Sequence, residues 1–356
     1  MFGPLFFMIE LEKLKHSLLS NVSEDEISKR LNDISNTFNI DRKKIEKMYS
    51  DEKNISSYAY FYLPTNMYKM KFLFDFLTDD ILKYLKNSTI IDIGTGPGTY
   101  IFSLIELLGA SGNQYIGVDT NKHMLKQAHK IQNNLYPNSD VQWTSSIPKL
   151  DNKDCTLIFG NSANEMGHMK TLKLINETAA KLVIFIEPGT KEVFHEMKII
   201  REKLISSGFS IDFPCPSSKS CPMSEDNWCH QMIKLSLPYD LERLGQKIKK
   251  DRTKMPAIIH VYRKRDESDC VDNEARVIRL EKKAKHALLW NICEGSDESN
   301  VFHRIEVPKK GLSKKKMKEL EAMSTGFSIN FEVEKVISEN LKRVKLLKVN
   351  GHEFND

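Results

Sequence analysis

The chain has 356 residues, 40% of them hydrophobic and 28% charged, with a formal net charge of +5. That balance excludes wholesale disorder, and the length predicts two or three domains with real cores. No apolar run reaches the roughly 18 residues that a membrane span needs. The apolar start, Met1 to Ile9, lacks a basic region and runs into Glu10 and Glu12, so neither a secretory signal nor a transit peptide is expected. The charge is uneven. Residues 241–356 carry 26 Lys+Arg against 19 Asp+Glu, which leaves 27 against 29 for the rest. A basic back third suits an anionic partner, nucleic acid above all; the alternative is an ordinary solvated surface.

Residues 1–75 read as a helical region, with helices over Glu10–Leu19, Glu24–Phe38, Arg42–Tyr49 and Asn66–Leu77. Ile27, Leu31, Ile34 and Phe38 recur at three and four, and Ser23 with Glu26 has capping-box spacing. From Ser88 short apolar runs alternate with helices, which predicts an α/β domain over 76–265 with a parallel sheet. The strands expected are Thr89–Ile93, Gln114–Val118, Val141–Thr144, Thr156–Phe159, Leu182–Glu187 and Phe209–Phe213. Met232–Leu237 and Ala257–Arg263 then read as a closing antiparallel hairpin. Residues 264–275 are polar and read as a linker. Beyond them, 276–356 predict a small basic β-rich domain, barrel-like in the manner of oligonucleotide-binding folds, with strands at Arg276–Leu280, Ala287–Ile292, Val301–Val307 and Ser328–Glu332.

The sharpest local motif is Asp92-Ile93-Gly94-Thr95-Gly96-Pro97-Gly98-Thr99, between a strand and a helix. Glycines there allow a tight turn and let a ligand touch bare backbone. Asp119, ending the next strand, is placed to accept hydrogen bonds from a ribose diol. A dinucleotide would fit the same topology. S-adenosylmethionine is the preferred cofactor because the spacing is G-x-G-x-G, Asp92 lies at the strand's end, and a hairpin closes the sheet. Asn164 and Glu165 follow the fourth strand, and Glu187 ends the fifth, at the ligand-binding edge of such a sheet. Asn164 and Glu165 suit a cofactor or substrate contact, or equally a cap for the helix starting near His168, while Glu187 is a candidate functional residue beside the turn-setting Pro188 and Gly189.

Cys215, Cys221 and Cys229 fall within 15 residues, next to Pro214, Pro216, Pro222 and Trp228. The spacing is not C-x-x-C, and it admits an iron–sulfur cluster, zinc or three unrelated thiols. A fourth ligand would come from Cys293, Cys270, Cys155 or His230.

These motifs resemble the methyltransferase-like proteins associated with the mitochondrial small ribosomal subunit. The resemblance runs from about Tyr58 to Cys293. It rests on Tyr58–Pro64, the Gly94–Thr99 loop, Asn164-Glu165, Glu187–Thr190 and the stretch from Pro214 to His230. It implies a class I methyltransferase (Rossmann-like) fold that uses S-adenosylmethionine. It also implies a 4Fe-4S cluster on Cys215, Cys221, Cys229 and Cys293, and a role in small-subunit assembly or translation in which methyl transfer is vestigial. The alternatives are an active RNA or protein methyltransferase and an iron- or redox-sensing RNA-binding protein. No catalytic base stands out. Asp92, Gly94, Thr95, Gly96, Gly98, Asp119, Asn164 and Glu165 are the expected cofactor residues. Lys309, Lys310, Lys314, Lys315 and Lys316 are the expected contacts to ribosomal RNA. A monomer without membrane attachment is expected, in the cytoplasm or, alternatively, the mitochondrial matrix.

Overall fold

The computed structural model describes residues 9–40, 48–110, 112–150, 154–265, 275–296, 298–323 and 325–354. Two compact units divide them. One takes in the chain to Ser162 with Glu177–Lys181 and Ile233–Met255; the other holds Ala163–Asn176, Leu182–Met232 and the chain from Pro256.

The first unit opens with helices α1 (Leu11–His16), α2 (Glu24–Ile40), α3 (Glu52–Phe74) and α4 (Asp79–Asn87). The expected helix at Arg42–Tyr49 lies largely outside the described residues. The capping box forms: the Ser23 amide donates to Glu26 at 3.2 Å and the Glu26 amide to the Ser23 hydroxyl at 3.3 Å. Helix α3 corrects the expected start at Asn66. It runs straight through Pro64. An interior proline costs about 3 kcal/mol of helix stability. Here nearly every side chain from Asn54 to Leu73 is buried, which outweighs that cost.

Strand β1 (Thr89–Ile93) is buried throughout and leads into α5 (Thr99–Leu108). β2 (Tyr115–Val118), α6 (Lys122–Leu135), β3 (Val141–Thr144) and β4 (Cys155–Gly160) follow. β1 pairs in parallel with β2 and β4, and β2 with β3, giving the order β3-β2-β1-β4.

The second unit carries α7 (Ala163–Met166), α8 (His168–Thr178), β5 (Leu182–Pro188), α9 (Lys191–Ser206) and β6 (Phe209–Phe213). β7 (Gln231–Lys234) and β8 (Lys254–Lys264) are not joined by a simple turn. Helix α10 (Tyr239–Lys247) lies between them in sequence, and its Leu241 and Leu244, with Ile248, are buried in the first unit beside Leu31 and Phe61. β8 runs antiparallel to both β5 and β6, which puts it between them. Parallel β3-β2-β1-β4 and the β5-β8-β6 set with one reversed strand make this a class I Rossmann-like fold.

The rest of the second unit is a closed barrel: β9 (Ala275–Lys283), β10 (Ala287–Gly295), β11 (Asn300–Pro308), α11 (Lys314–Ala322), β12 (Ser328–Ser338) and β13 (Leu341–Val349). β9, β10 and β11 form a meander, β12 pairs with β9 and β13, and β13 returns in parallel to β11. The fifth strand, β13, escaped the sequence reading because bulges interrupt the β12–β13 register and Lys342, Lys345 and Lys348 recur at three, not two. Trp290, Ile292, Ile305, Ile329 and Val344 fill the barrel, and Leu320 of α11 plugs it. Trp290→Ala should destabilise this unit by about 3–5 kcal/mol. Urea unfolding that leaves its stability within 1 kcal/mol of the parent would refute that core assignment.

Candidate functional site

The glycine loop is tied down by backbone bonds. The amides of Gly94 and Thr95 both donate to the Val118 carbonyl, at 2.8 and 3.0 Å. Gly94 has φ +71°, and a Cβ there would stand 2.6 Å from the Cβ of Ser162, so only glycine fits. Gly96 has φ +55°, and open space surrounds the place where its Cβ would be. A bare, convex turn facing open space is what a ligand lying against backbone requires.

Two carboxylates brace the loop. Asp119 accepts from the Gly96 amide at 2.8 Å and from the Asn121 amide at 2.8 Å, one bond to each oxygen. Burial raises its pKa, and those two amides oppose the rise. Each oxygen keeps a further lone pair for a diol. Asp92 is fully buried; its Oδ2 accepts from the Thr95 hydroxyl at 2.7 Å, while its Oδ1 has no hydrogen-bond partner. Burial pushes its pKa to about 7, against the Thr95 bond and with help from Asp119. An orphaned carboxylate oxygen and an open cradle fit a cofactor carrying a ribose and an ammonium group.

Helix α3 adds groups that sequence reasoning missed. Lys69, buried, donates to Asn161 Oδ1 at 3.3 Å, and Asn161 itself has φ +59° just past β4. Arg252, from the stretch after α10, donates from Nε to the Thr65 hydroxyl at 3.2 Å and from Nη2 to Asn66 Oδ1. Its guanidinium lies 5.5 Å from the centre of the Tyr62 ring. The Tyr58–Pro64 motif marked this helix, but nothing local announces the arginine.

In the second unit Glu187 is fully buried at the end of β5. Its two oxygens accept the amides of Ala163 (3.0 Å) and Asn164 (3.3 Å). The carboxylate therefore caps the first turn of α7, a structural role that the sequence did not suggest for Glu187. Asn164 Oδ1 is buried without a partner.

Cys215, Cys221, Cys229 and Cys293 come within electrostatic range of one another. Burial raises the Cys229 pKa, and Cys215, Cys221 and Cys293 raise it further. Burial likewise raises Cys293, followed by Cys215 and Cys221. Arg201 is buried among them; its Nη2 donates to the carbonyls of Ser217 (3.1 Å) and Lys219 (2.6 Å). Asn300, at the start of β11, donates to the same two carbonyls, at 3.3 and 3.0 Å. The other ligand candidates lie elsewhere in the fold or outside the described residues, apart from His230 beside Cys229. Cys155 is buried in β4 with its sulfur 3.5 Å from the Thr178 carbonyl; Cys270 lies outside the described residues. His230 stacks on Trp228, with centroids 5.7 Å apart. The expectation of a formed metal site is not met. Among the described residues no three His, Cys, Asp or Glu side chains are grouped to hold one metal ion.

The five expected RNA lysines divide. Lys309 Nζ donates to the Ala284 carbonyl at 2.8 Å, and Lys316 Nζ is buried 5.1 Å from the Phe354 ring centre. Those two serve the barrel. Lys310, Lys314 and Lys315 are exposed beside exposed Lys318. Among the described residues, no helix is long and apolar enough to cross a membrane.

Residues 52–321 match the family model described as mitochondrial small ribosomal subunit Rsm22. No curated protein matches the chain. Among solved structures the chain is similar to magnesium protoporphyrin IX methyltransferase (ChlM) of Synechocystis PCC 6803 with bound SAH, at 16% identity over 67% of this chain and 100% of that one, TM-score 0.35. It is similar to a SAM-dependent methyltransferase from Aquifex aeolicus at 18% identity, over 55% and 88%, TM-score 0.34. It is also similar to M. capricolum TrmK in complex with S-adenosyl-homocysteine, at 15% identity, over 55% and 73%, TM-score 0.32.

The buried Asp92 makes a pH prediction. Its folded pKa, about 7, stands above the ordinary 3.8, so the folded state holds a proton that the unfolded chain has released. This group's contribution therefore falls as pH rises from about 4 to about 7. Asp92→Asn should gain thermal stability relative to the parent across that window and hold the gain at pH 8. A difference in midpoint temperature that does not change between pH 4.5 and 8 would contradict it.

Proposed function

The chain belongs to the Rsm22 family of the mitochondrial small ribosomal subunit, and from that premise we propose that it is a methyltransferase-like protein that binds ribosomal RNA and supports small-subunit assembly or translation. The observation that carries the cofactor half is the glycine loop: Gly96 turns open backbone outward while Asp119 holds its amide. Gly94, Thr95, Gly96, Gly98, Asp119 and Asp92 would hold S-adenosylmethionine. Bound there, it brings an electrophilic methyl group. The chain's own part is to orient it and keep water away, which is most of what methyl transfer asks of a protein. The family's mitochondrial description supports the matrix, rather than the cytoplasm, as the working compartment.

The RNA half is supported by the barrel. A five-stranded Greek-key barrel with a helix between its third and fourth strands is the architecture of oligonucleotide-binding folds, which bind across the second and third strands and the adjacent hairpin loops. Here those strands are β10 and β11. Lys285 at the β9–β10 turn and Lys310 after β11 are exposed at that end, and the Lys309 amide donates to the His286 carbonyl at 2.9 Å, joining the two.

The finer part of the reading is a 4Fe-4S cluster on Cys215, Cys221, Cys229 and Cys293. One zinc ion would need its sulfurs about 3.8 Å apart, given Zn–S near 2.3 Å. A four-iron cluster holds its thiolates farther apart, so four thiols that sense each other without crowding one point suit the cluster better.

Three measurements test this. Isothermal titration should detect S-adenosylhomocysteine binding, weakened at least tenfold by Asp119→Ala; persistence of binding in that variant would remove the cofactor site. Protein prepared without oxygen should contain about four iron and four sulfide per chain, lost in Cys293→Ser. Stoichiometric zinc, or neither iron nor sulfide, would end the cluster reading. Binding to small-subunit ribosomal RNA should weaken with salt, and joint Lys314→Gln and Lys315→Gln substitution should flatten the log–log slope by about two units. Lys309→Gln should instead lower thermal stability and leave the slope alone. Salt-independent affinity would refute RNA binding through the barrel.

A further inference from the structure

Among the described residues, Arg252 is held without a carboxylate partner. Its Nε and one Nη2 hydrogen bond go to neutral oxygens, the Thr65 hydroxyl and the Asn66 amide carbonyl. Its electrostatic neighbours are Tyr62, Tyr100 and Tyr58, and none is a carboxylate. Neighbouring Asp251 turns the other way along the chain: its Oδ1 accepts the Thr253 amide at 2.8 Å and the Thr253 hydroxyl at 2.5 Å. A guanidinium has five N–H donors in a planar fork, so the edge formed by Nη1 and Nη2 is left for a ligand. The side chain is only partly exposed. A partly buried cation fixed by two hydrogen bonds and an aromatic face, with an unused fork, is preorganised for an oxyanion.

The surroundings narrow which oxyanion. Tyr100 is the second residue of α5, the helix that the glycine loop opens, and its ring fills the space where a side chain at Gly160 would sit, 1.9 Å from that Cβ. One turn along α3 from Asn66, Lys69 reaches Asn161, just beyond β4. Arg252 thus stands near the loop on its β4 side. Asp119 stands at the end of β2. β1 lies between β2 and β4. A cofactor whose ribose meets Asp119 and whose middle crosses Gly94–Gly98 sends its amino-acid end toward β4.

We propose that Arg252 is the receptor for the carboxylate at the amino-acid end of S-adenosylmethionine, positioned by Thr65, Asn66 and Tyr62. The assignment rests on the cofactor reading above. A planar carboxylate matches the free fork, whereas a phosphate in an RNA strand would have to bring its polymer down among three tyrosines.

The test compares two ligands that differ at that end. S-adenosylhomocysteine carries the carboxylate; methylthioadenosine keeps the nucleoside and sulfur and lacks the amino acid. The full chain, Arg252→Gln and Arg252→Lys are titrated with both. Arg252→Gln should bind S-adenosylhomocysteine about 10- to 100-fold more weakly, as expected for a lost charged hydrogen-bond pair, and methylthioadenosine within twofold of the parent. Arg252→Lys should recover part of the loss. Equal loss for both ligands in the two variants, or unchanged S-adenosylhomocysteine binding, overturns the assignment while leaving the cofactor site standing. Unchanged S-adenosylhomocysteine binding with weakened RNA binding moves the arginine to a phosphate, and so also overturns it. A parent chain that binds neither ligand overturns the cofactor reading and this assignment together.

Discussion

The bond from the Gly96 amide to the Asp119 carboxylate is the constraint on which the first unit's site depends. It joins the loop after β1 to the end of β2. With the two amides that donate to the Val118 carbonyl, it fixes the turn before α5 can start. The same loop is tied from beneath by Thr95 to Asp92. Burial raises the pKa of both carboxylates, so holding charge there is costly unless amides or a ligand answer it. Asp119 has its amides. Asp92 has one hydroxyl and one bare oxygen, which leaves it the unsatisfied member of the pair.

Helix α3 performs the complementary task. It is buried along nearly its whole length, yet presents Thr65, Asn66 and Lys69 as polar groups on successive turns. Buried polar groups persist where they are bonded. Thr65 donates to the Phe61 carbonyl at 3.0 Å and accepts from Arg252; Lys69 donates to Asn161. Lys69 is therefore carried by a rigid element, and Arg252, from the stretch before β8, is positioned against it. Asp92 lies within β1 and Asp119 directly follows β2.

What could be read from the sequence was what is local. The glycine spacing, the carboxylates at strand ends, the Ser23–Glu26 box and the parallel strands all follow from residues close together in the chain. Arg252 was illegible because it meets residues nearly two hundred positions earlier, across a helix, α10, whose apolar stripe pairs with α2 and α3 rather than with anything nearby. The Glu187 cap of α7 went unread, since a strand end 23 residues later supplies it. The lysine run looked uniform, yet Lys309 and Lys316 are held by the barrel while Lys314 and Lys315 are not. That difference is set by where β11 ends and where Ser313 starts α11, accepting the Lys316 amide at 3.2 Å.

The cysteine loop is a matter of charge balance. Ionised, thiols in mutual range repel, and burial penalises the charge further; the raised pKa values of Cys221, Cys229 and Cys293 express both effects. Two guanidiniums stand against that. Arg201 lies beside Cys215 and pins the carbonyls of Ser217 and Lys219. Arg279 donates to Asn227 at 2.8 Å and lowers the Cys229 pKa in part. Both arginines oppose the rise and neither cancels it, so Cys221, Cys229 and Cys293 are held toward the neutral thiol. Yet Asn300 and Arg201 hold the same two carbonyls from opposite elements, the barrel and α9, which keeps the loop against the strand bearing Cys293. Hydrogen bonds from two elements, rather than attraction among the thiols, therefore keep these sulfurs within range of one another.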